Sequence, residues 1–330
     1  MIKNIIQKFV CRISILHILC GFFTEMAAGY GTYRKIKQKM GNVTIYLQYY
    51  RGTGDVYLSA AYLKQCEDRR NNLGRSVFVV NGTNAHRVAS LMGIESIPII
   101  AVPEKKAYSL VRLTRFVGTE GLDIKYLHYI SDYPMYTAFL ITLAGLHGIG
   151  FMDLYRNTVF KGEQLKLPTP RWGMNETLTA SKTSRERKVL LAPAANSIAE
   201  GSDILFWRGL ARRLNQAGYK VYTNIANDEK PIAGTEPVFI PYKELGSFLD
   251  DRAVFIGYRS GLCDLIASLN CKKIILYPRD SWPIVNGMNI GSTLEIFSLN
   301  KMGLCEDAIE FEYRNGEETD TLLERVLEKI

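Results

Sequence analysis

Between residues 43 and 278 the chain repeatedly sets a short run of β-branched and aromatic residues against a longer stretch with apolar residues every three or four positions. That alternation confines the fold more than any other feature. Parallel strands need long crossovers, and a helix is the usual one, so the pattern predicts α/β layers. In the front part strands are expected at 43–48 (VTIYLQ), 76–80 (SVFVV), 97–102 and 125–130, with helices at 56–67, 84–92 and 107–116. SVFVV is apolar without alternation, as suits a strand covered on both faces. Further on, strands are expected at 189–192, 220–223, 237–240, 253–256 and 273–277, with helices at 203–217, 242–249, 262–269 and 319–330. Helix 203–217 puts Ile204, Trp207, Leu210, Ala211 and Leu214 on one face and stops at Gly218. Residues 134–160 also read as helical, interrupted by Gly145, Gly148 and Gly150.

With 330 residues the chain exceeds what one small core serves. The polar, aperiodic stretch 161–187, with Pro168, Pro170 and Gly173, is the natural break. The expected organisation is an N-terminal helix (1–28), an α/β domain (29–165), a linker (166–187) and a second α/β domain (188–330), two Rossmann-like domains facing a cleft. Hydrophobic residues are 47% and charged ones 22%, which excludes disorder, collagen and coiled coil for the bulk of the chain. Six cysteines without a C-x-x-C, and four histidines, argue against a zinc ribbon or disulfide scaffold and fit a reducing cytoplasm.

Charge is unevenly placed. Residues 1–170 carry 21 Lys/Arg against 11 Asp/Glu, a net +10, whereas residues 171–330 carry 20 against 22, a net −2. A basic front half suits an anionic partner; the alternative is chance drift of surface charge. Residues 5–23 are apolar but broken by Lys8, Arg12 and His17, too short an uninterrupted run to span a bilayer. Apolar residues at 2, 5, 6, 9, 13, 16 and 20 keep helical spacing. Such an amphipathic helix serves equally to lie on a membrane or to pack on the first domain.

In open parallel sheets ligands bind beyond the carboxyl ends of the strands, and three turns leave such ends. Arg51-Gly52-Thr53-Gly54-Asp55 offers two glycines for close backbone approach and a carboxylate at a helix start, although Asp55 could simply cap that helix. Arg259-Ser260-Gly261 offers a guanidinium, a hydroxyl and a helix N-terminus for a phosphate; its plain alternative is a capped turn with a solvated arginine. Pro193-Ala194-Ala195-Asn196-Ser197 leaves room beside a third strand end. There is no dinucleotide G-x-G-x-x-G at the first turn, where the third position is Tyr57, and no P-loop, nucleophile elbow or Asp-x-Asp anywhere. His86, His128 and His147 lack metal-ligand spacing, and the aromatic residues are too dispersed for a nucleic-acid stacking platform.

Three segments together resemble the heptosyltransferase-like glycosyltransferases (glycosyltransferase family 9). They are Gly54-Asp55-Val56 with the following helix, residues 191–195 with Trp207 and Leu210 to Leu214, and residues 255–264 leading into 274–278. The resemblance covers roughly residues 43–280 and implies the two-domain GT-B architecture. It also implies transfer of a sugar from a nucleotide diphosphate sugar, with inversion and without a metal or other cofactor. The acceptor would be an anionic glycan or glycolipid of the bacterial cell envelope, lipopolysaccharide or capsule, and no nucleic acid would be involved. On this resemblance Asp55 is the base, and Arg51, Gly52, Thr53 and Gly54 form the acceptor-side loop. Arg259, Ser260, Gly261 and Asp264, with Ala194, Ala195, Asn196 and Ser197, hold the donor. The basic half is then the acceptor side, in the cytoplasm and peripheral on the inner face of the plasma membrane. The family usually has an aspartate before the Ser/Thr-Gly pair and a histidine three residues after the glycine, where this chain has Arg259 and Asp264. It also has a lysine shortly before the tryptophan, where Leu205 stands. The Arg-Ser pair looks somewhat like fucosyltransferases that use a GDP-sugar, so a heptose donor does not follow. A nucleotide-sugar epimerase of the same fold and an inactive sugar-nucleotide-binding relative are the alternatives.

Overall fold

A computed structural model describes residues 2–69, 74–127, 149–160, 162, 164–165, 167, 170–172, 187–195, 203–226, 229–278, 293–313 and 319–330. The chain divides into two compact units. The first comprises Met1–Arg51, Cys66–His86 and Ile94–His128, and the second Gly52–Gln65, Arg87–Gly93 and Tyr129–Ile330. Two short stretches of the front half, and the chain from residue 129 on, are thus counted with the second unit.

In chain order the front half holds α1 (Ile2–Met40), β1 (Thr44–Gln48), α2 (Thr53–Asp68), β2 (Ser76–Asn81), α3 (Gly82–Ser90), β3 (Ile99–Val102), α4 (Glu104–Val117), α5 (Thr119–Leu122) and β4 (Ile124–Tyr126). The strands form a parallel sheet in the order β3-β2-β1-β4, with Ile45 opposite both Val77 and Ile124. Every residue of β2 is buried, as its unbroken apolar run demands. Ile45, Leu47, Val77 and Val79 pack with Leu110 and Val111 of α4 and with Ile36 of α1.

The N-terminal helix does not end near residue 28. It runs on to Met40, where Lys37 and Lys39 complement the negative end of the helix dipole. Gly41 (φ +82°) then stops it, its N–H bonding the Lys37 carbonyl at 2.7 Å. Its later half lies on α4: Arg112 meets Glu25 at 3.0 Å, and the Phe22 and Phe116 rings are 5.3 Å apart. Among the described residues no helix is long and apolar enough to cross a membrane.

The second unit continues with α6 (Phe151–Thr158), β5 (Lys188–Ala192), α7 (Ile204–Gln216), β6 (Lys220–Asn224), β7 (Glu236–Val238), α8 (Leu245–Phe248), β8 (Val254–Tyr258), α9 (Gly261–Ile266), β9 (Lys272–Pro278), α10 (Thr293–Phe297), β10 (Ile309–Tyr313) and α11 (Thr319–Leu327). Its six strands are parallel in the order β10-β9-β8-β5-β6-β7. Phe206, Trp207, Leu210, Ala211 and Leu214 of α7 are buried in this unit's core with Val189, Leu191, Ile256 and Ile274. Trp207 Nε1 donates to the Tyr258 hydroxyl at 3.0 Å, which pays for burying an indole N–H.

The expected helix at 242–249 is split into a 3₁₀ turn (Tyr242–Glu244) and α8. β10 and α10 were not expected from the sequence. The helix expected at 134–160 is seen from Phe151 on, and residues 134–148 lie outside the described residues. Most of the expected linker lies outside them as well. Of it, Arg171 N–H bonds the Leu91 carbonyl at 2.6 Å and Trp172 lies against Gly246.

Candidate functional site

Asp55 lies in the first turn of α2, which begins at Thr53, three residues before the expected start. A carboxylate there is favoured by the helix dipole. The side chain is partly buried and its two oxygens have different surroundings. Oδ1 accepts a hydrogen bond from the Tyr155 hydroxyl at 2.6 Å. Oδ2 lies over Gly52, only 2.5 Å from where a Cβ on that residue would stand. Tyr155, in the middle of α6, is 1% exposed. Its ring sits between Phe151 (4.9 Å) and Phe160 (5.6 Å), and Phe160 stacks on Tyr62 of α2 at 4.8 Å.

The second turn closes on the first. A Cβ on Gly54 would collide with Asp264 Oδ2 and stand 3.5 Å from the Gly261 Cα. One on Gly261 would collide with the Gly54 nitrogen and stand 2.8 Å from the Thr53 Cβ. Neither glycine has a positive φ. Their lack of a side chain admits these protein atoms, a carboxylate oxygen against Gly54 and the Gly54 nitrogen against Gly261. Thr53 Oγ1 and the Tyr242 hydroxyl lie 3.3 Å apart beside the same turn.

Arg259 follows β8, and its guanidinium turns inward. Nη2 donates to Asp264 Oδ1 at 2.6 Å, Nη1 to the Ser260 carbonyl at 2.6 Å and Nε to the Phe297 carbonyl at 2.8 Å. The two side chains of the ion pair are 13% and 5% exposed. Arg259, expected to grip a phosphate, here holds Asp264 and two carbonyls. Asp264, expected among the donor-binding residues, is the buried partner of that pair. Ser260 precedes α9 in extended conformation and makes no side-chain cap bond to it. Its hydroxyl is 3.8 Å from the Cys263 sulfur.

Burial pushes the Asp55 carboxyl above the ordinary carboxylate value, against the pull of the Tyr155 hydroxyl, its own backbone N–H and the Arg259 charge. Burial raises Asp264 too, opposed by Arg259 and reinforced by the negative charge of Asp55. The site thus holds two carboxyls that resist ionising together, with one guanidinium beside them.

The other expected residues are more scattered. Arg51 belongs to the first unit, where it forms an exposed ion pair with Glu104 at 3.1 Å. Ala194 is exposed and Ala195 packs against the core of the second unit, while Asn196 and Ser197 lie outside the described residues. Among the described residues there is no group of three His, Cys, Asp or Glu able to hold a metal ion. Tyr155 was not foreseen. It is one of 19 tyrosines, and nothing in its local sequence, FMDLYRNT, sets it apart.

No protein-family model matches the chain, and no curated protein matches it. Among solved structures it is similar to the Escherichia coli ADP-heptose lipopolysaccharide heptosyltransferase II, at 15% identity and a TM-score of 0.52, covering 87% of this chain and 97% of that one. It also matches E. coli heptosyltransferase WaaC with ADP (13% identity, TM-score 0.48, 87% of this chain and 98% of that one). A family 9 glycosyl transferase from Veillonella parvula matches at 14% identity and a TM-score of 0.48, over 87% of this chain and 89% of that one. At these identities the likeness is one of fold: two parallel α/β sheets as in the GT-B heptosyltransferase structure.

Proposed function

We propose that the protein is a glycosyltransferase of bacterial cell-envelope glycan assembly, moving a sugar from a nucleoside diphosphate donor to a hydroxyl of an anionic glycan or glycolipid. The observation that carries this reading is Asp55. It is a carboxylate at the head of α2, tied through one oxygen by a buried tyrosine and raised by burial toward the pH at which a general base works well.

In the proposed step Asp55 takes the proton of the acceptor hydroxyl as that oxygen attacks the anomeric carbon. The bond from that carbon to the diphosphate breaks, and the nucleoside diphosphate leaves with the electron pair. Attack opposite the leaving group inverts the anomeric centre. Base help of this kind contributes about 10²–10⁴ in rate. We place the departing diphosphate at Ser260 and the backbone of Gly261, with Ala194 to Ser197 alongside. Arg259 stands behind them, its charge shared with Asp264, and the step needs no metal. The E. coli protein of similar fold is an ADP-heptose enzyme. An ADP-sugar is therefore the first donor to try, and a GDP-sugar the second.

The test begins with a thermal-shift screen of nucleoside diphosphates and nucleotide sugars, since a ligand of the native state raises apparent stability. Turnover follows with the donor that binds and a lipopolysaccharide core acceptor. Asp55→Asn should keep donor binding and lose turnover by at least 10²-fold; full turnover in that variant removes Asp55 as base. Product from donor alone would instead favour an epimerase.

The basic front half is proposed to face an anionic glycolipid or the inner membrane leaflet. Phe23 and Phe116, both 62% exposed on the packed pair α1 and α4, would enter the headgroup layer.

A further inference from the structure

Resting on the reading of Asp55 as base, we infer that Tyr155 is its positioning residue, holding Oδ1 so that Oδ2, over Gly52, is the oxygen that takes the acceptor proton. A free carboxylate turns about its Cβ–Cγ bond and offers either oxygen. Here the hydroxyl of a fully packed tyrosine fixes one of them at 2.6 Å. The tyrosine cannot follow a rotating carboxylate, because its ring is held by Phe151 and Phe160 and is 1% exposed.

The second constraint comes from the opposite side. Oδ2 occupies the space of a side chain at residue 52, and only glycine leaves it vacant. A side chain at position 52 would therefore press on Oδ2, while the Tyr155 hydrogen bond holds the other oxygen. The Tyr155 hydroxyl donates its one proton to Asp55, and through that bond it bears on the step.

The charged and titratable groups around Asp55 come from three elements: Tyr155 on α6, Arg259 after β8 and Asp264 on α9. Of these the tyrosine alone donates a hydrogen bond to the carboxylate, and such a bond favours the ionised form. Removing it must move the titration of Asp55 upward, by about 0.5–1 unit for one hydrogen bond. A tyrosine with only a packing role would not do this when replaced by phenylalanine, which keeps the ring.

The experiment uses the full chain with aspartate labelled at the side-chain carboxyl carbon. The Asp55 resonance is identified by its loss in Asp55→Asn, and its midpoint is followed in wild type and Tyr155→Phe. The expected result is an upward shift of about 0.5–1 unit, with melting temperature nearly kept. Turnover of the donor found by the screen should fall about 10-fold while donor binding is unchanged. An unmoved midpoint in a folded Tyr155→Phe overturns the proposal, whatever its turnover. Should Asp55→Asn keep its turnover, the base reading falls and this proposal with it. A dead Asp55→Asn beside an unmoved midpoint leaves the base reading standing and removes Tyr155 alone.

Discussion

Arg259→Met separates two jobs that the sequence allows for one arginine. If the guanidinium serves mainly to hold Asp264, its loss should be felt in stability. The pair is close to fully buried, at 13% and 5% exposure, and its contact is 2.6 Å. Removing one partner strands the other's charge, which costs about 3–5 kcal/mol. The carbonyls of Phe297 and Ser260 lose donors as well, at about 0.5–1.5 kcal/mol each where water does not replace them. The low end of the total, about 4 kcal/mol, already corresponds to a fall of roughly 8–16 °C in melting temperature for a unit of this size. Asp264→Asn should cost less, since it keeps the shape and removes the charge. The double variant Arg259→Met with Asp264→Asn should cost clearly less than the sum, with a coupling of about 2–3 kcal/mol. Urea unfolding followed by tryptophan fluorescence is the assay, because Trp207 is buried in the core of the same unit. Donor affinity is measured on the same samples. Arg259→Met losing less than about 1 kcal/mol, with no coupling to Asp264, would refute the reasoning. If donor affinity then collapsed, the arginine would be a phosphate ligand after all.

The glycine at the start of α9 gives a second check. Gly261→Ala drives a methyl into the Gly54 backbone, so it should destabilise by about 1–3 kcal/mol or more, read as a lower urea midpoint; an unchanged midpoint would mean that the two turns part freely. Asp55→Asn should raise the melting temperature at pH 7. The Asp55 carboxyl is harder to ionise when folded than when unfolded, so its favourable contribution is present below the ordinary carboxylate value. That contribution is lost as pH rises through the raised value. The gain in Asp55→Asn should therefore shrink toward zero below about pH 4, and a melting temperature that falls at pH 7 contradicts it. Vesicles rich in anionic lipid should sediment the protein at low salt and release it at high salt, whereas neutral vesicles should not bind it; equal retention on neutral vesicles rules the electrostatic reading out.

Strand–helix alternation made most of the layer structure legible, because a buried parallel strand has a near-continuous apolar centre, as IYL, VFVV and IILY have here. β10 escaped for the opposite reason. IEFEY alternates glutamate with apolar residues, pairs among the described residues with β9 alone, and buries Phe311 and Tyr313 while its glutamates stay less buried. The length of α1 escaped because GTYRKIKQKM is mostly polar, and its few apolar residues, Tyr33, Ile36 and Met40, are seen to share one face only where they pack on the core of the first unit. In the site, Asp55 was legible because an aspartate after a glycine at a helix start is a local pattern. Tyr155 was not, since 100 residues separate it from Asp55 and only the folded chain brings them together. The glycines were legible as positions of close approach, but sequence cannot say what approaches, and here it is a carboxylate and a backbone nitrogen.

The two departures from the heptosyltransferase-like pattern at the second turn are better understood together than apart. Read along the sequence, Arg259 and Asp264 are two separate losses, an aspartate replaced by arginine and a histidine replaced by aspartate. In the structure they are the two halves of one buried ion pair, five residues apart across the start of α9. An aspartate at 259 beside Asp264 and Asp55 would bring three carboxyls together with no cation among them, a cost that burial multiplies. A histidine at 264 would leave the Arg259 charge without its counterion. Arg259 and Asp264 are therefore coupled, since each is the other's partner in the ion pair. The guanidinium charge is accordingly met inside the turn, by Asp264 at 2.6 Å and by the Ser260 and Phe297 carbonyls.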